Sequence, residues 1–168
     1  DNEMQTVANN YGLKSELAAT STTQNPLAQA SDDSWSTIAT RNKVVIGYTI
    51  FAPIAYDVVD DVPTKGFDIE LANKVFAYLN QTYSTNIAIE FNVIPWSAKE
   101  ALLEGGSIDL VWNGLTLTPQ RSAEMCISIP YLNNKQVAVI LTKNQDKFTT
   151  IASMADAITG AEDGSAGE

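Results

Sequence analysis

Histidine is absent from this 168-residue chain, and cysteine occurs once, at Cys126. The first absence removes the commonest general base and the commonest metal ligand. The second excludes an internal disulfide and leaves Cys126, in the apolar run Met125-Cys126-Ile127, to be read as a small buried hydrophobe. Basic residues are also scarce, ten against twenty acids, for a net charge of −10. No basic patch exists to neutralise phosphates, so nucleic-acid binding is not expected. Long apolar runs are missing too: none approaches the roughly 18 residues of a membrane span. No signal peptide opens the chain, although one is removed from any mature exported protein.

The acidity is concentrated at the flanks. Residues 1–33 hold five acids and one lysine, as do residues 146–168. Most of the negative charge therefore lies outside the central region and does not argue for a cationic ligand. Asp57, Asp60 and Asp61 cluster, but they lack the regular oxygen spacing and turn glycine of a calcium loop and read as a solvated loop. No metal and no cofactor are expected.

Three segments are distinguished. Residues 1–33, rich in Asn, Gln, Ser, Thr and Ala, read mainly as a flexible leader or tether, with Tyr11, Leu13 and Leu17 marking a short helical turn. Residues 34–145 carry alternating signals. Ser34 opens a short helix to Thr40. Lys43–Thr49 and Ile87–Ile94 are strands. Phe67–Leu79 has helical spacing at Ile69, Leu71, Ala72, Val75, Phe76 and Leu79. Asp60-Asp61-Val62-Pro63 reads as a turn, Ala98–Leu103 as a helix stopped by Gly105-Gly106, and Ser107–Trp112 and Gln136–Leu141 as further strands. Such alternation predicts an α/β fold with a mostly parallel sheet and helices on both faces. Residues 146–168 carry a possible helix at Ile151–Ile158 and a Gly164-Ser165 turn that normally introduces a helix; the chain reads as cut short there.

The most specific run is Trp112–Tyr131. The strand ends in Asn113-Gly114, a Thr116-Leu117-Thr118-Pro119 turn follows, and Arg121 sits early in a short helix. Thr118 suits the N-cap and Pro119 the first helical position. A strand end, free backbone N–H groups and a fixed guanidinium together suit a carboxylate.

These residues resemble the extracellular solute-binding proteins, family 3, that serve ABC importers of polar amino acids. The resemblance rests on an ordered series of motifs between Ser34 and Glu168. They are Val44–Gly47 with Phe51-Ala52-Pro53, Lys65–Ala72 around Gly66-Phe67-Asp68, and the aromatic Trp96. Gly106–Leu110, Gly114–Arg121, Ser128-x-Pro130-Tyr131 and Gly164-Ser165 complete the series. The sequence departs from the family pattern at Cys126, Ile127 and Ala166, and carries only the opening of a second lobe.

The resemblance implies a periplasmic-binding-protein-like type II fold of two α/β lobes, with lobe 1 at 34–145 and the beginning of lobe 2 at 146–168. It implies a non-enzymatic, monomeric binder of a small amino acid that partners ABC permease subunits. The setting would be extracellular or periplasmic, with residues 1–33 as the tether of a lipoprotein. Arg121 would hold the ligand's α-carboxylate, against the alternative of an ordinary surface arginine. Gly114 and Thr116 would offer backbone groups and a hydroxyl, against a turn glycine and a capping threonine. Asn113 would either touch the ligand or satisfy a loop carbonyl. Phe51 and Trp96 would flank the ligand side chain, against plain core packing. Ser165 would reach the carboxylate from lobe 2. Asp109 reads as a loop-stabilising residue rather than an amine partner. Tyr48, Thr49 and Ile50 after Gly47 include no acid to pair a basic ligand, which favours a polar neutral amino acid, and the amine's carboxylate partner is expected beyond Glu168. Three alternatives stand beside this: a receptor's ligand-sensing domain, a periplasmic dehydratase-like enzyme on the same fold, and a fragment without ligand activity.

Overall fold

The computed structural model of the chain describes residues 2–18 and 32–168. Helix α2 (Ser34–Arg41) is held at its start by the Asp32 carboxylate, which accepts from the Ser34 N–H at 3.0 Å. It ends at Asn42 in the left-handed region and leads into β1 (Lys43–Tyr48). This strand is buried almost throughout, as its unbroken apolar sequence requires when both sheet faces are covered. It lies at the centre of a parallel sheet, between β4 (Ala88–Val93) and β5 (Leu110–Val111).

Helix α3 (Phe67–Tyr83) covers one face, packing Ala72 and Phe76 against Val44, Ile46 and Ile87. On the other face Val45 meets Ile94 and Ile108, under Leu102 and Leu103 of α4 (Lys99–Glu104). The start of α3 has a specific cause. Gly66 has φ +138°, and a β-carbon there would lie 2.1 Å from the Ile54 carbonyl oxygen. Only glycine allows the chain to pass so close before Asp68 and Glu70 place carboxylates in the helix's first turn.

Several expectations change. The turn at Asp60-Asp61 joins two short strands, β2 (Tyr56–Val59) and β3 (Val62–Lys65), into an antiparallel hairpin. Both aspartates have positive φ, as a type I′ connection demands. Lys65 pairs with Asp57 at 2.6 Å, so part of the acidic cluster is neutralised locally. Strand β5 is shorter than Ser107–Trp112 because its ends pair irregularly. The Asp109 N–H donates to Val45 O, its carboxylate accepts from Val45 N–H at 2.7 Å and pairs with Arg41, and Trp112 N–H donates to Gly47 O. Asp109 thus has the loop-stabilising role.

Gln136–Leu141 is not a ladder strand. Among the described residues no strand pairs with it, and Val139 is 89% exposed. The helix expected at Ile151–Ile158 is a single 3₁₀ turn, Ala152–Met154. Cys126 is exposed, not buried: in this extended stretch Met125 and Ile127 turn inward and Cys126 turns out.

The expected leader is only partly open to description, since residues 19–31 lie outside the described set. Its first part is packed. Helix α1 (Asn2–Asn10) buries Val7 and Ala8 against Phe67 and Leu71, with Tyr131 and Leu132 nearby. Residues 16–18 then run beside 131–133, with Ala18 N–H donating to Tyr131 O at 2.9 Å and Asn133 N–H to Glu16 O at 2.7 Å. Met4, Tyr11, Leu13 and Leu17 of the same segment add partly buried apolar area to this pair, which holds a helix otherwise rich in Asn and Gln against α3. Among the described residues no helix is long and apolar enough to cross a membrane.

Candidate functional site

The carboxyl ends of the parallel strands deliver the loops that carry the candidate residues, the usual place for a ligand in an open α/β sheet. The loop after β1 brings Phe51, the loop after β4 brings Trp96, and β5 runs into Asn113–Thr116. A cleft of about 850 Å³ opens there, lined by Phe51, Trp112, Asn113, Gly114, Thr116 and Tyr131 among others.

Phe51 is pinned by its backbone. Its N–H donates to Ala55 O at 2.7 Å, and Ala55 N–H donates back at 2.8 Å. The ring stays 54% exposed and lies over Gly114, where a β-carbon would come within 3.4 Å of it. Asn113 is buried, and its Nδ2 donates to the Thr49 hydroxyl and carbonyl, tying the ends of β1 and β5 together. Its Oδ1 is buried with no protein partner. Thr116 accepts weakly from Asn134 Nδ2 at 3.4 Å.

Helix α5 (Pro119–Glu124) starts with Pro119 in its first turn, and the Thr118 hydroxyl accepts from Arg121 N–H at 3.2 Å. This cap fixes the backbone from which Arg121 projects. The arginine side chain is 12% exposed. Its Nη1 donates to Thr116 O at 2.9 Å and its Nη2 to Gly164 O at 2.8 Å. The guanidinium therefore bridges the turn after β5 and the Gly164-Ser165 turn. Ser165 stands beside this bridge, its hydroxyl accepting from Gly167 N–H.

Trp96 differs from Phe51. It is only 9% exposed, and Lys99 Nζ lies 4.8 Å from its ring centroid. The candidate residues thus fall into two adjoining groups. Phe51, Asn113, Gly114 and Thr116 line the open cleft; Trp96, Arg121 and the Gly164-Ser165 turn surround a closed polar cluster.

Two features escaped sequence reasoning. One is Lys99, which stands at the start of an ordinary short helix and yet is buried. The other is Asp68, in the first turn of α3, buried in the cleft lining and accepting from the Tyr131 hydroxyl at 3.0 Å. Burial pushes its carboxyl up to about 7; the Tyr131 hydrogen bond and the nearby Trp112 indole oppose that rise. Burial likewise raises the Tyr131 hydroxyl, and the adjacent carboxylate adds to the effect. The Gly66-Phe67-Asp68 motif marked the position, but nothing in the sequence told that this carboxylate faces inward. Among the described residues no group of three or more Cys, Asp or Glu is placed to hold a metal ion.

The profile of the bacterial extracellular solute-binding proteins, family 3, matches residues 44–159. The chain belongs to this family. It is 33% identical over 76 residues, 45% of its length, to a probable histidine-binding protein of Neisseria gonorrhoeae, spanning 26% of that protein's length. It is similar in structure to an ABC uptake substrate-binding protein of Streptococcus pneumoniae with bound histidine, at 34% identity and a TM-score of 0.50. A polar amino acid ABC uptake substrate-binding protein of Streptococcus thermophilus gives 35% identity and a TM-score of 0.51. The two alignments cover 60% and 64% of this chain and 38% of each solved chain. The family-3 fold, periplasmic-binding-protein-like type II, accounts for the mixed α/β architecture and the parallel β4-β1-β5 order.

Proposed function

We propose that this chain supplies one wall of an amino-acid-binding cleft in the substrate-binding component of an ABC importer, working outside the cytoplasmic membrane. The observation that carries this reading is the Arg121 guanidinium, largely shielded, fixed by its capped helix and joined through the Thr116 carbonyl to the turn that lines the cleft. A planar fork of donors in that position matches a carboxylate bidentately. Exchanging weak carbonyl acceptors for a charged one strengthens every hydrogen bond it makes.

In this proposal Arg121 holds the α-carboxylate. Thr116 and Gly114 contribute a hydroxyl and backbone groups, and Asn113 sets their position by anchoring Thr49. Phe51 covers the ligand side chain as an exposed aromatic platform. Trp96 acts through Lys99 and the polar cluster, and Ser165 closes from the Gly164 side. Residues 34–145 serve as the first lobe and 146–168 as the opening of the second. Ligand that bridges both shifts an open–closed equilibrium toward closed, and the closed form engages the permease. No covalent step is involved.

Relatives described as histidine-binding support an amino acid as ligand. The absence of an acid in the Tyr48-Thr49-Ile50 run after Gly47 favours a neutral polar one over arginine or lysine. Titration calorimetry with the twenty amino acids on the full natural chain tests the reading. Binding of one or a few at micromolar concentration is the expected result, and binding of none refutes it. Incubation with prephenate-like acids tests the purely binding role, which turnover would overturn.

A further inference from the structure

Lys99 opens α4, yet its side chain is 2% exposed. Its ammonium donates to Trp96 O at 3.2 Å and to Gly164 O at 2.9 Å, and pairs with Glu100 at 3.0 Å. Arg121 Nη2 reaches the same Gly164 oxygen at 2.8 Å. Two cations thus converge on one peptide carbonyl. Among the described residues their one carboxylate partner is Glu100, 3.9 Å from Arg121 Nε and itself 40% exposed. The Glu168 carboxylate accepts from Gly164 N–H at 3.0 Å and makes no ion pair with either cation.

The cluster therefore carries two positive charges against one partly solvated negative charge. Shielded charge is unfavourable unless it is paired, and a neutral carbonyl is a weaker partner than a carboxylate. The point of convergence is an anion seat with a neutral occupant. We propose that Lys99 is a second carboxylate-binding residue, which closes with Arg121 on the ligand's carboxylate where the Gly164 carbonyl now sits. This rests on the amino-acid cleft proposed above and adds a residue to it. The two cations divide the work: the guanidinium fork sets the orientation of the carboxylate, and the ammonium adds a point charge from the Trp96 side. The same geometry gives Trp96 a role, since its ring and carbonyl hold the ammonium in place.

The test pairs each variant with a ligand that lacks the carboxylate. L-Glutamine and L-glutaminamide, and L-histidine and L-histidinamide, are titrated into the full natural chain at mildly acidic pH, where the α-ammonium of each is charged. The variants are Lys99→Met, Lys99→Arg and Arg121→Met. Lys99→Met is expected to weaken the amino acids about tenfold or more while changing the amides by no more than about twofold. Lys99→Arg retains most of the affinity. Equal weakening of acid and amide by Lys99→Met overturns the proposal and leaves Lys99 as support for the fold. If Arg121→Met still discriminates in that case, the cleft reading stands without Lys99. If Arg121→Met fails to discriminate as well, the cleft reading falls too.

Discussion

Asp68 offers a prediction whose size follows from its surroundings. The carboxyl is buried in the cleft lining, accepts one hydrogen bond from Tyr131, and leaves its second oxygen without a partner. Its ordinary value of 3.8 rises to about 7. Between those limits the folded chain holds a proton that the unfolded chain releases. Stability from this group is therefore complete below about pH 4, falls as pH rises, and is lost once pH passes about 7. The span corresponds to up to roughly 4 kcal/mol. Asp68→Asn keeps an acceptor for Tyr131 and removes the titration, at the cost of an unpartnered amide worth about 1–3 kcal/mol. Urea unfolding of the 168-residue chain and the variant at pH 4, 6 and 8 reads the effect. The variant is less stable than the parent at pH 4 and gains on it steadily to pH 8. Stability curves that stay parallel within about 0.5 kcal/mol would refute the buried, proton-linked carboxyl.

Two further tests address the fold directly. Gly66→Ala pushes a β-carbon into the Ile54 carbonyl at a positive φ, so it should lower unfolding free energy by on the order of 3 kcal/mol in urea melts; a loss below about 0.5 kcal/mol would contradict the close approach at the start of α3. Cys126 should react with a thiol reagent in the folded chain nearly as fast as in denaturant, because it faces solvent; strong protection would restore the buried reading.

The elements legible in the sequence are those whose signals are local. Val44–Ile46 is apolar without a break, α3 carries a 3.6-residue repeat from Ile69 to Leu79, and Thr118-Pro119 is a cap that works within four residues. Gly66 was legible as a motif, and its reason is the steric limit set by Ile54. What escaped depends on partners far along the chain. Val7 and Ala8 look unremarkable among Asn and Gln until α3 receives them about sixty residues later. Gln136–Leu141 has the composition of a strand, but composition cannot supply a neighbouring edge. Lys99 is buried by Gly164, 65 residues away, and helical periodicity has no means of announcing that contact. For the site, the sequence singled out Phe51 and the Asn113–Thr116 turn, which line one cleft, and Arg121, which reaches that turn through the Thr116 carbonyl. It did not anticipate that a buried lysine would lie against the Trp96 ring.

The central claim, that Arg121 holds the carboxylate of an amino acid, is tested most directly by calorimetry on the full natural chain and its Arg121→Ala variant, using the amino acid that binds best. Loss of a charge-assisted contact worth about 1.5–3 kcal/mol should weaken binding about 10- to 150-fold. A variant that binds as tightly as the parent would contradict the claim.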